Sequence, residues 1–207
     1  MNIDEAQLDM IADALIGCGY LIADNLLPEY LITALLADFN ALLDGEFTSA
    51  GIGRNADFAV QKNIRSDRIH WLDSTTPTSA EFLLWMELLR VGINRRLFLG
   101  LCDYESHFSH YPIAAFYKKH LDAFSGQQRL GRFNRALSTV VYLNKNWHAD
   151  QGGELIIYAD SGDQVLATVQ PVFGRLVIFL SEKFSHEVMP ATRERKGIAG
   201  WFRANNG

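Results

Sequence analysis

Apolar positions over the first hundred residues recur mostly at helical spacing. Ile3, Leu8, Ile11, Leu15 and Ile16 mark one helical stripe that stops at Gly17 and Gly19. Tyr20 to Leu26 reads as a short apolar strand. Pro28 then opens a second helix, with Leu31, Leu35, Leu36, Phe39, Leu42 and Leu43 on its apolar side and Gly45 just past its end. Thr78 and Glu81 have the spacing of a capping box for a third helix that runs towards Gly100. Between the second and third helices, Thr48 to Val60 is rich in Gly, Asn and Ser and predicts a mobile loop before a strand from Ile64 to Leu72.

From about Tyr104 the period shortens and β-rich segments follow one another. The expected strands are Phe108 to Tyr117, a short piece around His120, Leu137 to Leu143, Leu155 to Tyr158, Val165 to Val169, Leu176 to Leu180, Phe184 to Val188 and Ile198 to Phe202. Gly152-Gly153, Ser161-Gly162-Asp163 and Gly174 punctuate them as turns, and a polar loop is expected from Asp122 to Gly131. Helices first and many strands afterwards predict an α+β fold: a β-sandwich or jelly roll with N-terminal helices packed on one sheet. The chain of 207 residues fits one domain, with helical support over 1–100, a mobile segment at about 44–72 and the β-core over 101–203. No internal repeat or low-complexity linker interrupts it, and the polar tail Ala204 to Gly207 is expected to fray.

Composition narrows the function classes. Hydrophobic residues make up 48% and charged residues 21%, which is ordinary for a globular protein. A formal charge of -5 without a basic, aromatic-interleaved run argues against nucleic acid, whose binding is dominated by Lys and Arg. Asp4, Glu5, Asp9 and Asp13 exclude a secretory signal at the N-terminus, and no apolar run approaches the ~20 residues that span a bilayer. No membrane role is expected, and the expected compartment is the cytoplasm. Cys18 and Cys102 stand in apolar surroundings and are expected to be reduced, buried thiols.

The candidate chemistry lies in His120-Leu121-Asp122, with His186 and Arg195 far downstream. In a strand, residues two apart share a face, so His120 and Asp122 can reach one ion together. A third ligand from another strand, His186, completes two imidazoles and one carboxylate. That set suits ferrous iron and leaves one side of the ion open, with zinc as the chemical competitor. A His-x-Asp pattern is weak alone, and His148-Ala149-Asp150 repeats it. That second copy sits between Trp147 and Gly152-Gly153, in a hairpin turn where side chains need not converge. His70, His107 and His110 are expected to be structural, with His107 and His110 on the strand that feeds the site. Arg195 begins a strand and can pair in a bidentate fork with a carboxylate ligand, whereas Lys196 alternates to the other face and Arg193 lies in the turn.

Five segments carry a family likeness: IRSDRIHWLD from Ile64, HYPIAAFYKKHLD from His110, YLNKNW from Tyr142, GGELIIY from Gly152 and HEVMPATRERKGIAGWF from His186. With them the chain resembles, over nearly its whole length, the Fe(II)- and 2-oxoglutarate-dependent dioxygenases. The match is to prolyl 4-hydroxylases of the hypoxia-inducible-factor type and their bacterial relatives, and it implies a double-stranded β-helix. The resemblance implies His120, Asp122 and His186 as iron ligands and the groups that carry catalysis. It implies Arg195 and Tyr142 at the far carboxylate of 2-oxoglutarate, Tyr111 and Tyr117 as pocket phenols, and Leu155 and Trp201 as walls.

Arg135 matches a substrate-contacting arginine, and Arg65 and Asp67 are further candidate contacts within the mobile substrate-covering segment. The implied reaction hydroxylates a prolyl residue in a protein, with 2-oxoglutarate and O2 giving succinate and CO2. Bacterial relatives point to elongation factor Tu as the partner, and the family adds ascorbate and oxygen sensing. The match has gaps. The stretch from Tyr111 to His120 is one residue short, and Ala199 stands where a hydroxyl residue is expected. Two other readings remain open: an oxygenase acting on another protein residue or a small molecule, and a non-catalytic metal-binding jelly roll.

Overall fold

The computed structural model describes residues 2–51, 61, 63–123, 133–160 and 162–205. Most of the Thr48–Val60 loop, the Asp122–Gly131 loop beyond Ala123, Ser161 and the last two residues of the tail lie outside the described residues. Three helices, α1 (Glu5–Gly17), α2 (Glu29–Ala41) and α3 (Pro77–Leu97), precede the main run of strands.

α1 and α2 bury most of the apolar face that their spacing marked, but Ile16 is exposed. α2 stops at Ala41, short of Gly45, which leaves Leu43 exposed beyond its end. The buried residues are Leu8, Ile11, Ala12 and Leu15 on α1, and Leu31, Ile32, Leu35 and Phe39 on α2. On α3 they include Phe82, Trp85, Met86, Leu89 and Ile93. Each such side chain contributes about 1.5–3 kcal/mol when withdrawn from water. The cap of α3 differs from the expectation. Thr76 is the N-cap and Ser79 its reciprocal partner, not Thr78 and Glu81. Pro77 takes the first helical position, where its missing N–H leaves no donor unsatisfied, and this moves the box two residues upstream. The helix ends at Leu97, where Phe98 turns left-handed at φ 53°.

Eleven strands follow in chain order among the described residues: β1 (Tyr20–Asp24), β2 (Thr48–Ser49), β3 (Arg68–Trp71), β4 (Leu101–Tyr111), β5 (Tyr117–His120), β6 (Phe133–Tyr142), β7 (Leu155–Tyr158), β8 (Val165–Val169), β9 (Arg175–Leu180), β10 (His186–Val188) and β11 (Arg195–Asn205). They form a seven-stranded sheet, β1-β9-β6-β11-β4-β3-β2, and a four-stranded sheet, β5-β10-β7-β8. Every named pairing is antiparallel. The two sheets make the double-stranded β-helix.

The helices pack on the outer face of the larger sheet, in a core that joins Trp85 and Met86 to Leu137, Val141, Ile178 and Phe202. A second core lies between the sheets and contains Tyr142, Leu155, Ile157, Val177, Phe179 and Phe184. It forms an apolar floor under the site. The first hundred residues therefore do more than supply helices, because β1 pairs with β9 and β3 with β4 in the larger sheet.

Three sequence expectations are corrected. The strand expected from Phe108 to Tyr117 is two strands in different sheets. Pro112 lacks the N–H a ladder needs, and Ala114 turns left-handed at φ 63°, so β4 stops and β5 starts across the sandwich. The strand expected from Ile64 is confined to Arg68–Trp71, with a single bridge from Arg65 to Tyr117. Cys18 and Cys102 are exposed rather than buried. Cys18 caps the end of α1, and Cys102 points away from the face on which its neighbour Leu101 is buried.

Candidate active site

His120 ends β5 and His186 begins β10, and the antiparallel register sets the two directly opposite one another. Asp122 follows β5 by two residues and turns back towards both. Its Oδ1 lies 3.6 Å from His120 Nε2 and its Oδ2 lies 3.5 Å from His186 Nε2. One ligand atom from each of the three falls within 4.8 Å of the others, a group that could hold a metal ion.

The protonation states follow from the partners. His120 Nδ1 lies 2.7 Å from the Lys118 carbonyl oxygen, and His186 Nδ1 lies 3.2 Å from that of Phe184. A carbonyl oxygen can only accept, so each Nδ1 carries a proton and each Nε2 is the ring nitrogen left facing the shared space. Burial lowers the His186 imidazole from its ordinary 6.5 to about 4, which keeps it in the neutral, ligating form. Burial alone would raise the Asp122 carboxyl. The His186 and His120 imidazoles, with the Arg135 charge, instead carry it well below the ordinary carboxylate range. The Ser138 hydroxyl also lies 2.7 Å from Asp122 Oδ2. Two imidazoles and one carboxylate are the donor set that ferrous iron takes.

Behind this triad lies a cleft of about 620 Å3, counted out to its mouth and reaching from Arg65 and Trp201 to Arg195. Arg195, the first residue of β11, is 3% exposed, with its guanidinium 4.8 Å from the Tyr111 ring and 5.0 Å from the Tyr142 ring. Among the described residues no carboxylate pairs with it. Its Nε and the Tyr142 hydroxyl are both buried without a hydrogen-bond partner. A buried guanidinium lacking its anion is costly, so the pocket is built for a ligand that brings a carboxylate. This fits 2-oxoglutarate. Burial raises the Tyr142 phenol despite the nearby Arg195 charge, so its hydroxyl keeps a proton to donate.

A glycine turn flanks the stem of Arg195. A Cβ on Gly153, which holds φ +76°, would lie 3.4 Å from Arg195 Cδ and 3.0 Å from Trp147 Cζ2.

The remaining named residues lie around the cleft. Tyr111, Tyr117, Leu155 and Trp201 all line it. Tyr117 stacks on His120 with ring centroids 3.5 Å apart, and burial pushes its phenol up to about 12. Ala199 lines the cleft too, opposite His107 in the ladder between β4 and β11.

Arg65 and Arg135 also line the cleft. Arg135 lies 3.5 Å over the Trp201 ring and 3.1 Å from Glu105. Arg65 is paired with Asp67 at 2.6 Å, and the Asp67 side chain is fully buried. Asp67 is thus no exposed contact: its carboxylate is committed to Arg65 and reaches the cleft only through it.

His148 and Asp150 sit on an exposed turn around Ala149–Gln151, outside the cleft. Lys196 leaves the site for the helical side, where its Nζ lies 2.8 Å from Asn40 Oδ1. One feature escaped the sequence: Ser138, buried on β6, reaches Asp122, which no local motif signals. His107, read as a structural residue on the strand that feeds the site, lines the cleft. The alternation His107, Ser109, Tyr111 along β4 was the available sign, because all three line the cleft.

The model of the 2OG-Fe(II) oxygenase superfamily matches residues 106–203. Among solved structures, a prolyl-4-hydroxylase of Pseudomonas putida is 38% identical, with a TM-score of 0.83 over 96% of this chain and 100% of that one. A Trichoplax adhaerens prolyl hydroxylase, solved with a hypoxia inducible factor oxygen degradation domain peptide, is 26% identical. Its TM-score is 0.80 over 96% of this chain and 89% of its own. Human prolyl hydroxylase EGLN3 is 24% identical over 98% of this chain and 85% of its own length. The chain belongs to the 2OG-Fe(II) oxygenase superfamily and, within it, to the Fe(II)- and 2-oxoglutarate-dependent prolyl hydroxylases. Among the described residues no helix is long and apolar enough to cross a membrane.

Proposed function

We propose that this enzyme hydroxylates a prolyl residue presented by a protein segment, with elongation factor Tu as the substrate, and converts 2-oxoglutarate and O2 to succinate and CO2. The observation that carries this reading is the buried Arg195, with no carboxylate partner among the described residues, beside a converging set of two imidazoles and one carboxylate. A scaffold that merely held a metal would have no use for that arginine.

His120, Asp122 and His186 would hold ferrous iron, which would supply the oxygen chemistry, with ascorbate as the external reductant. The protein's own work is binding, orientation and exclusion of water. His120 and His186 offer Nε2 and Asp122 offers one oxygen on the same side. Arg195 forks onto the distal carboxylate of 2-oxoglutarate while the Tyr142 hydroxyl donates to it, so the cosubstrate enters in one orientation. Tyr111, Tyr117, Leu155 and Trp201 wall the reacting face, and the apolar floor between the sheets keeps water out.

Arg65 and Arg135 meet the peptide chain along the cleft, where guanidinium groups can donate to its carbonyl oxygens. Proline is assigned on the family and on the peptide held by the Trichoplax relative. The test is incubation with purified elongation factor Tu, iron, ascorbate and 2-oxoglutarate, followed by peptide mass spectrometry. One added oxygen on a prolyl residue, absent without 2-oxoglutarate, is expected. Succinate formation stimulated by a different substrate, with elongation factor Tu unmodified, would reassign the substrate and keep the class.

A further inference from the structure

The three candidate ligands are not held in the same way. His120 and His186 are strand residues, locked opposite each other by the β5–β10 ladder. Asp122 lies beyond the end of β5, in no ladder, so backbone pairing does not aim its carboxylate. Side-chain hydrogen bonds aim it instead. Ser138 Oγ is 2.7 Å from Asp122 Oδ2, and Ser181 Oγ is 2.8 Å from Ser138 Oγ. Ser138 is 1% exposed and Ser181 is wholly buried, so water cannot replace either bond. Ser181 is itself fixed, because its N–H donates to the Ala136 carbonyl oxygen at 3.0 Å.

The direction of the chain can be worked out. An ionised carboxylate only accepts, so Ser138 must give its one hydroxyl proton to Asp122. It then has none left for Ser181, and Ser181 must be the donor to Ser138. The order is Ser181 O–H to Ser138 O–H to Asp122 Oδ2. The smaller sheet's loose end is thereby tied to β6 and to the residue after β9 in the larger sheet.

We propose that this serine relay is a positioning device for the metal: it commits Asp122 Oδ2 to hydrogen bonding and leaves Oδ1 as the single ligating oxygen. Ser138 and Ser181 are positioning residues, acting through Asp122 without touching metal or substrate. A carboxylate so held would offer the metal one oxygen and leave its open side free for the cosubstrate. The proposal rests on the metal reading above.

The test uses the full-length metal-free protein and Mn2+ alone, with free Mn2+ read by electron paramagnetic resonance. Thermal melts of the metal-free forms control for folding. Ser138→Ala is expected to weaken Mn2+ binding by about 10–100-fold, the usual effect of removing an outer partner of a metal ligand. Ser138→Thr, which keeps the hydroxyl, should bind within about threefold of the parent, and Ser181→Ala should lie between the two. Parent-like affinity in Ser138→Ala overturns the relay, and so does a Ser138→Thr variant that melts normally yet binds as weakly as Ser138→Ala. A parent protein that bound no Mn2+ would instead overturn the metal triad and the relay with it.

Discussion

Arg65 holds its guanidinium 4.2 Å over the ring of Tyr117. That ring also stacks on His120, so the Arg65–Asp67 pair is one contact away from a candidate metal ligand. The pair is a buried one, with side-chain exposures of 11% and 0%. Burial lowers the Arg65 guanidinium, but hydrogen bonding and charge from Asp67 more than reverse this and raise it.

Asp67→Ala should therefore destabilise the fold by about 3–5 kcal/mol, because it strands a buried cation. Asp163→Ala, which removes an exposed partner of Lys119, should leave the unfolding midpoint unchanged. Urea denaturation of the two variants checks the contrast. Equal midpoints would show that Arg65 rehydrates without its partner.

Arg195→Ala should weaken 2-oxoglutarate binding by about 2–5 kcal/mol, thirtyfold or more, since the distal carboxylate loses a buried cation. Arg195→Lys should recover part of this, because a lysine restores charge but not the fork. Anaerobic calorimetry with Mn2+ and 2-oxoglutarate measures both. Affinity for Mn2+ alone should not move.

The two His-x-Asp copies make a matched pair for mutation. His120→Ala should abolish stoichiometric Mn2+ binding, while His148→Ala and Asp150→Ala should leave it at parental strength. Retained binding in His120→Ala would mean that the wrong copy was chosen.

Acid should destabilise the protein through His107. Burial, assisted by the Arg65 charge, lowers this imidazole from 6.5 to about 4. In the unfolded chain it protonates near 6.5, so between those values the unfolded state binds more protons and stability falls as pH falls. The loss approaches roughly 3 kcal/mol by pH 4. His107→Phe should flatten the fall in urea midpoint between pH 7 and 4.5, and an unchanged slope would place the acid sensitivity elsewhere.

The fold was legible wherever periodicity was clean. The apolar stripes Leu8–Leu15 and Leu31–Phe39 are buried as read, and Leu155–Tyr158 and Val165–Val169 have the expected bounds. Boundaries failed where one residue's backbone chemistry overrode the pattern, as Pro77 did for the α3 cap and Pro112 for β4. Polar strands such as Thr48–Ser49, which is exposed on both residues, carry no apolar signal and went unread.

The candidate ligands owe their selection to position more than to spacing, because His148 and Asp150 have the same spacing as His120 and Asp122 but sit in a turn between Trp147 and Gly152-Gly153. Ser138 and Ser181 meet only because β6 and β9 are neighbours in the larger sheet. Serines that far apart have no local pattern to announce them.

The glycine turn before β7 was read as punctuation, yet Gly153 packs against the stem of Arg195. A methyl group at that turn would crowd Ala191 and Trp147 first, at 3.0 Å, and would touch the stem of the anchoring cation at 3.4 Å. A chain could retune its grip on a keto acid from there while every group that touches the ligand stayed the same.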